Sequence, residues 1–374
     1  MARKKNMGRV KHYRHSFYTG PQRVKRVLLV VLAVVVLFGL GWLIGPPVID
    51  LGTRTWYSIK ESFKDRPQSP SQSESQASSA AQSENQAGSQ PQEPQEPAAP
   101  LGAQVVPGGW SFVSLSSIDT AEKAAAQAQQ LAAQGVKYAV IPLKDEQGYI
   151  YYPSSLVVAA PSVAATTIDP AQAVKAFEEA GVIPVAQICA FRDPKAPYTD
   201  RTMGVHYQGT EYFWLDAAVD AGGKPWLDPY SPEAIRFIES LMQEARQMGF
   251  EQLLLTGVQF PFRDDAYAGY QAANGVGKTK QLADLIGSWQ QKTQESGGVL
   301  WVEYSMEQAA GRQPASLGGG ALAELGIQQL VLRATPSDDP EADQQLLAEA
   351  RAAAAAGGAQ HVVIRQGVQA RFDE

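Results

Sequence analysis

The 374-residue chain contains a single cysteine, Cys189, which excludes an internal disulfide. A domain of roughly 270 residues needs none, because a chain of that length buries enough apolar surface to hold together. Cys189 sits in an apolar, strand-like run and reads as a core thiol. Histidine is also scarce. Of the four, His12 and His15 stand near the N-terminus, apart from His206 and His361, so no metal cluster is expected. No Gly-x-Ser-x-Gly supports a serine triad, and no Gly-x-Gly-x-x-Gly follows the first predicted strand to cradle a dinucleotide. The segment Gly275-Val276-Gly277-Lys278-Thr279 looks like a phosphate loop, but Ala272 stands where its first glycine is required. No cofactor is called for.

Charge is missing by region. Residues 1–26 hold nine Lys or Arg and no acid, whereas residues 101–374 hold 19 basic and 31 acidic residues, a net charge near −12. Such a domain offers no electrostatic footprint for nucleic acid. Residues 27–44 carry no charge at all. As a helix those 18 residues rise about 27 Å, close to the roughly 30 Å core of a bilayer. Trp42 near the far end suits the interface, and the basic excess before the helix predicts a cytoplasmic N-terminus. A cleaved signal peptide is the competing reading, but its apolar core is shorter and ends at a small-x-small site, whereas Gly45-Pro46-Pro47 follows here.

These features predict a basic tail over 1–26, a membrane helix over 27–45 contacting lipid, and a juxtamembrane segment over 46–66. Residues 67–104 are dominated by Pro, Gln, Ser, Glu and Ala, too polar to offset the entropy of ordering, and read as a disordered stalk. A folded extracytoplasmic domain is then expected over 105–374.

Within that domain, β-rich apolar runs at 110–115, 138–143, 182–190, 252–260, 299–304, 329–333 and 361–365 alternate with helical stretches at 120–134, 170–180, 232–248, 278–295 and 340–356. Asp119 and Asp169 are placed as N-caps, and Gly135, Gly181 and Gly249 as helix stops leading straight into strands. Repeated β-α units predict an α/β fold, a (β/α)8 TIM-barrel-like domain with one weak or missing strand; a doubly wound open sheet is the alternative.

Four segments carry a family resemblance. Residues 135–145 read Gly-Val-Lys-Tyr-Ala-Val-Ile-Pro-Leu-Lys-Asp, followed by Gly148 and a second β-rich run. Phe191-Arg192-Asp193-Pro194 ends the next strand, Trp226-Leu227-Asp228-Pro229 precedes a helix, and residues 249–261 read Gly-Phe-Glu-Gln-Leu-Leu-Leu-Thr-Gly-Val-Gln-Phe-Pro. In order and spacing these resemble a family of bacterial glycosyl hydrolase domains of unassigned specificity, similar to α-amylase-type barrels, over most of residues 105–265. The resemblance implies a barrel that acts on a glycan at its strand C-termini.

The departures are as informative. Pro142 stands where the family carries Asp at the end of its second strand, Thr256-Gly257 where it carries Asp-Tyr, and Gln259 where it carries Arg. A glycosidase needs two carboxyl groups flanking the scissile bond, so these losses argue for a degenerate site. Glu303, Asp145 and Asp193 remain as candidate catalytic acids at predicted strand ends; each also reads as half of a local ion pair or as a turn cap. Lys144, Arg192, Trp214, Trp226, Asp228, Thr256 and Gln259 are the candidate substrate-binding residues, with Asp228 alternatively capping the helix after it. The long aromatic-rich stretch 191–226 either stacks on sugar or covers the barrel mouth. Three roles stay open: a pseudoenzyme binding envelope glycan or a protein, a diverged glycosidase on an envelope or extracellular polysaccharide, and a structural envelope protein whose cytoplasmic basic tail does the recognising.

Overall fold

The computed structural model of the protein describes residues 101–262, 266–271 and 274–373. The expected basic tail, membrane helix and juxtamembrane segment, and residues 67–100 of the expected stalk, lie outside the described residues. No helix among the described residues is long and apolar enough to cross a membrane.

Eight strands close a barrel: β1 (Gly109–Phe112), β2 (Val136–Lys144), β3 (Ile183–Cys189), β4 (Gln252–Thr256), β5 (Val299–Ser305), β6 (Gln329–Ala334), β7 (His361–Gln366) and β8 (Gln369–Phe372). The first seven run parallel and correspond to the seven apolar runs of the sequence. The open-sheet alternative is therefore excluded. The eighth strand is a departure from a strict (β/α)8 pattern. It turns back at Gly367 (φ 62°) and lies antiparallel between β7 and β1, so a hairpin closes the ring. Four residues with only Ala370 and Phe372 facing inward give too short an alternation to be read from sequence.

Five long helices cover the outside: α1 (Ala121–Ala133), α2 (Pro170–Glu179), α3 (Pro232–Gln247), α4 (Lys278–Glu295) and α5 (Pro340–Ala356). Only a single-turn helix (Met306–Ala309) and short 3-10 turns link β5 to β6. Asp169 caps α2 by accepting from the Gln172 amide. For α1 the cap is Thr120, one residue after the expected Asp119, which instead pairs with Lys123 at 2.7 Å. Gly135, Gly181 and Gly249 take positive φ after α1, α2 and α3, a backbone region closed to most side chains.

The barrel is sealed at its N-terminal end. Trp110 stacks on Tyr138 at 4.6 Å and meets Trp301 edge-on at 4.9 Å. The Trp301 indole donates to Gln252 Oε1 (2.7 Å), and Gln252 Nε2 donates to the carbonyls of Gly102 and Gln104. Residues 102–104, expected as the end of the stalk, are thus bound to the barrel floor. A buried tryptophan needs such a partner for its N–H, and the buried glutamine needs its own in turn.

Above this floor five of the eight strands, β3 to β7, change character in one step. Because side chains alternate along a strand, residues two apart share the inward face. That face passes from Val185 to Gln187, Leu254 to Thr256, Trp301 to Glu303, Val331 to Arg333 and Val363 to Arg365. A dry aromatic and aliphatic layer thus supports a polar layer at the strand C-termini, where barrels of this kind carry their ligand sites.

Candidate functional site at the barrel mouth

The polar layer opens into a cavity of about 430 Å³. Its ionisable walls are Asp145, Glu146, Glu303, Arg192, Arg333 and Arg365, and Thr256, Gln259, Ser305 and Gln308 also line it.

Glu303 is held at the centre of an ion triad. Its Oε2 accepts from Arg365 Nη1 at 2.6 Å, and its Oε1 lies 3.3 Å from Arg333 Nε. In register Glu303 pairs with Val331 and Ser305 with Arg333, which pairs in turn with Arg365, so the two arginines stand one inward step beyond Glu303 on neighbouring strands and meet its carboxylate from there. The Glu303 side chain is 7% exposed, that of Arg365 19% and that of Arg333 46%. Arg365 is further fixed by its Nε–H on the Gly367 carbonyl and by lying 3.6 Å above the Phe112 ring.

The other candidate acids are committed elsewhere. Asp145 accepts from the amides of Gln147 and Tyr149 and, at 2.6 Å, from the Tyr151 hydroxyl, shaping the tight turn that carries Gly148. Burial and the neighbouring Asp145 push the Tyr151 phenol well above its ordinary range, so it remains a donor. Asp193 does not reach the cavity. It is buried, accepts from the amides of Lys195 and Ala196, and lies 3.1 Å from Lys144 Nζ. Lys144 is buried too and donates to the Cys189 carbonyl at 2.6 Å. This internal pair ties the end of β2 to the end of β3, and neither residue faces a ligand. Glu146 bridges to Arg192 at 2.6 Å.

Trp214 and Trp226, expected as stacking platforms, are nearly fully buried and form a small core with Val205 inside the long excursion after β3. An indole that large is worth more as the nucleus of a loop than as an exposed face. The exposed rings of the region among the described residues are Tyr198, Tyr207, Tyr212 and Tyr267, together with Phe262 at the cavity. Asp228 is not the helix cap; Ser231 is, accepting from the Ala234 amide. Asp228 is buried and accepts from the amides of Tyr230 (2.8 Å) and Gln271 (2.6 Å), pinning one segment to another. Burial pushes its carboxyl up to about 6.

Thr256, Gln259 and Arg192 do line the cavity. Gln259 Oε1 accepts from Gln308 Nε2, which also donates to Ser316 Oγ. Gly257 has φ 64°, and a Cβ there would stand 2.9 Å from Cys189 Sγ. A tyrosine at this position has no room here. Burial pushes the Cys189 thiol up, consistent with its reading as a core residue. Arg333 and Arg365 escaped the sequence reading, since a lone charged residue ending an apolar run looks the same whether it points in or out, and so did Gln187, a neutral residue within its run. Among the described residues, no group of three or more His, Cys, Asp or Glu is placed to hold a metal ion.

Compared with known families, residues 111–303 match the one described as "Putative glycosyl hydrolase domain", slightly more than half of the chain. The chain belongs to this family. The matched region ends at Glu303, so Arg333 and Arg365 lie beyond it. Among solved structures, this glycosyl hydrolase domain is similar to the PgaB (BpsB) glycoside hydrolase domain from Bordetella bronchiseptica, with 14% identity over 68% of this chain and 82% of that one (TM-score 0.49). A hypothetical protein from Ruminiclostridium thermocellum is 17% identical over 51% of this chain and 96% of its own (TM-score 0.44). A Paenibacillus cycloisomaltooligosaccharide glucanotransferase is 12% identical over 68% of this chain, which spans 37% of that enzyme (TM-score 0.49). No curated protein matches.

Proposed function

We propose that this glycosyl hydrolase domain binds a glycan at its barrel mouth without cleaving it, and that residues 27–45 anchor it to a membrane with the domain outside the cell. Cell-envelope or extracellular polysaccharide is the ligand class. The reading rests on one observation above all: Glu303, the only sequence-proposed acid projecting into the mouth from a barrel strand, is clamped between two guanidinium groups.

Glycoside hydrolysis requires one carboxyl group that delivers a proton and a second free to attack the sugar or activate water. Glu303 is bridged, Asp145 takes three donors and Asp193 is inside the protein. Pro142 and Thr256 occupy the places where the family carries acids. What remains is a concave, polar, partly preorganised recess, which suits recognition. The uncharged run over 27–44 behind a basic tail supports the anchor.

The test pairs a hydrolysis screen with a retention assay, using the full-length chain on envelope polysaccharides. Retention without release of reducing ends is expected. Turnover that disappears in Glu303→Gln would overturn the reading in favour of an active, diverged glycosidase. A reporter fused after residue 104 should be active only outside the cell; cytoplasmic activity would refute the topology.

A further inference from the structure

Building on the glycan-binding reading, we infer that the barrel mouth selects an acidic sugar, one bearing a carboxylate, through Arg333 and Arg365. The charges divide unequally around the cavity. On one wall Arg192 is matched by Glu146 at 2.6 Å, and the Asp145 carboxylate beside them is bound by two amides and the Tyr151 hydroxyl. Acids and arginines thus balance three to three over the whole cavity, and the positive excess is local to the opposite strands. On the opposite strands two guanidinium groups share the single carboxylate of Glu303. That triad carries one positive charge in excess.

Arg333 is the group with capacity to spare. Its Nε lies 3.3 Å from Glu303 Oε1, and among the described residues its two terminal nitrogens make no hydrogen bond. They form one edge of the planar guanidinium fork, the shape that accepts a carboxylate with two parallel hydrogen bonds. Arg333 keeps about half its side chain exposed, so a ligand reaches that edge from solvent. Arg365, locked on Phe112 and Glu303, holds the arrangement in place and adds its charge.

The remaining lining argues for a sugar instead of a bare ion. Thr256, Gln259 and Ser305 present hydroxyl and amide groups suited to ring hydroxyls, and Phe262 adds an exposed ring at the edge against which the C–H face of a pyranose packs. The cavity volume of about 430 Å³ falls within the range of small-ligand sites. Arg333 and Arg365 both lie beyond the family match, so this selectivity belongs to the C-terminal strands of this chain.

The experiment measures binding of the purified full-length chain to trigalacturonic acid, triglucuronic acid, their methyl esters and neutral galactotriose by calorimetry. An acid should bind at least 10-fold more tightly than its methyl ester, which keeps the ring and removes the charge. Arg333→Gln should lose about 10- to 100-fold for the acid and little for neutral sugar, the range for a charge-assisted pair. Arg333→Lys, which keeps charge without the fork, should fall between, and the ester comparison needs no variant to fold. Equal binding of acid, ester and neutral trisaccharide, with Arg333→Gln silent, overturns the acidic-sugar inference and leaves glycan binding intact. Competition by inorganic phosphate as effective as the uronate also overturns it, because the site would then read charge alone. Absence of binding by every trisaccharide brings down this inference, and failure on the envelope polysaccharides as well brings down the glycan reading.

Discussion

Replacing Glu303 by glutamine removes one negative charge from between two guanidinium groups while keeping the side-chain length and a carbonyl acceptor. The Arg365 contact, at 2.6 Å and largely buried, is a charge-assisted hydrogen bond worth about 1.5–3 kcal/mol. The Arg333 contact, at 3.3 Å with nearly half of that side chain in solvent, adds about 0.5 kcal/mol after screening. The glutamine carbonyl recovers part of the first, so a net loss of about 2 kcal/mol is expected. For a domain of this size that lowers the melting midpoint by roughly 4–8 °C. The variant also leaves two guanidinium groups facing each other without a counter-anion. Sulfate should therefore restore more stability to Glu303→Gln than to the wild type. Thermal unfolding followed by circular dichroism, in about 50 mM sodium sulfate or in about 0.15 M sodium chloride so that both conditions have the same Debye length, reads both effects. A midpoint change under about 1 °C with equal sulfate response would refute the triad as the organising feature of the mouth.

Three further outcomes follow from the same geometry. Asp193→Asn leaves the Lys144 ammonium buried without its counter-charge, at a cost of about 3–5 kcal/mol, while glycan retention by the folded fraction stays unchanged; urea unfolding and retention assays separate the two. Gly257→Tyr, which restores the family's residue, should lose about 1–3 kcal/mol, because φ is 64° and its Cβ would meet Cys189 Sγ at 2.9 Å; a wild-type urea midpoint would contradict this. The folded state raises the Asp228 carboxyl to about 6, chiefly by burial, so the native protein holds this proton more tightly than the unfolded chain. The stability contributed by Asp228 is then present near pH 4 and lost as pH rises through about 6, on the order of 2 kcal/mol. The wild type minus Asp228→Asn difference in unfolding free energy should fall by that amount between pH 4.5 and 7, and a flat difference would be the contrary result.

The seven parallel strands were legible because burial on both faces leaves near-continuous apolar runs, and the first three long helices because Gly135, Gly181 and Gly249 mark their stops and Asp169 the start of the second. The hairpin strand of residues 369–372 was not, since two inward residues leave no period to detect. Thr120 displaced Asp119 as a cap by one position, a difference below what local propensity resolves. Trp214 and Trp226 illustrate a harder limit. Composition marked the segment as aromatic, but whether a ring faces solvent or a loop core depends on the path of residues far apart in the chain.

By itself the sequence determined the alternation of strands and helices and the family, because each is a property of local pattern or of residue identity. Tertiary structure alone decided the meaning of the charges that remain. Glu303, Arg333 and Arg365 are separated by 30 and 32 residues, and only the pairing of their three neighbouring strands brings the side chains within contact on the inward face. Asp193, beside an arginine in sequence, pairs instead with Lys144 across a neighbouring strand. Electrostatic partnership is set by distance in space and by burial, and neither is written in chain order.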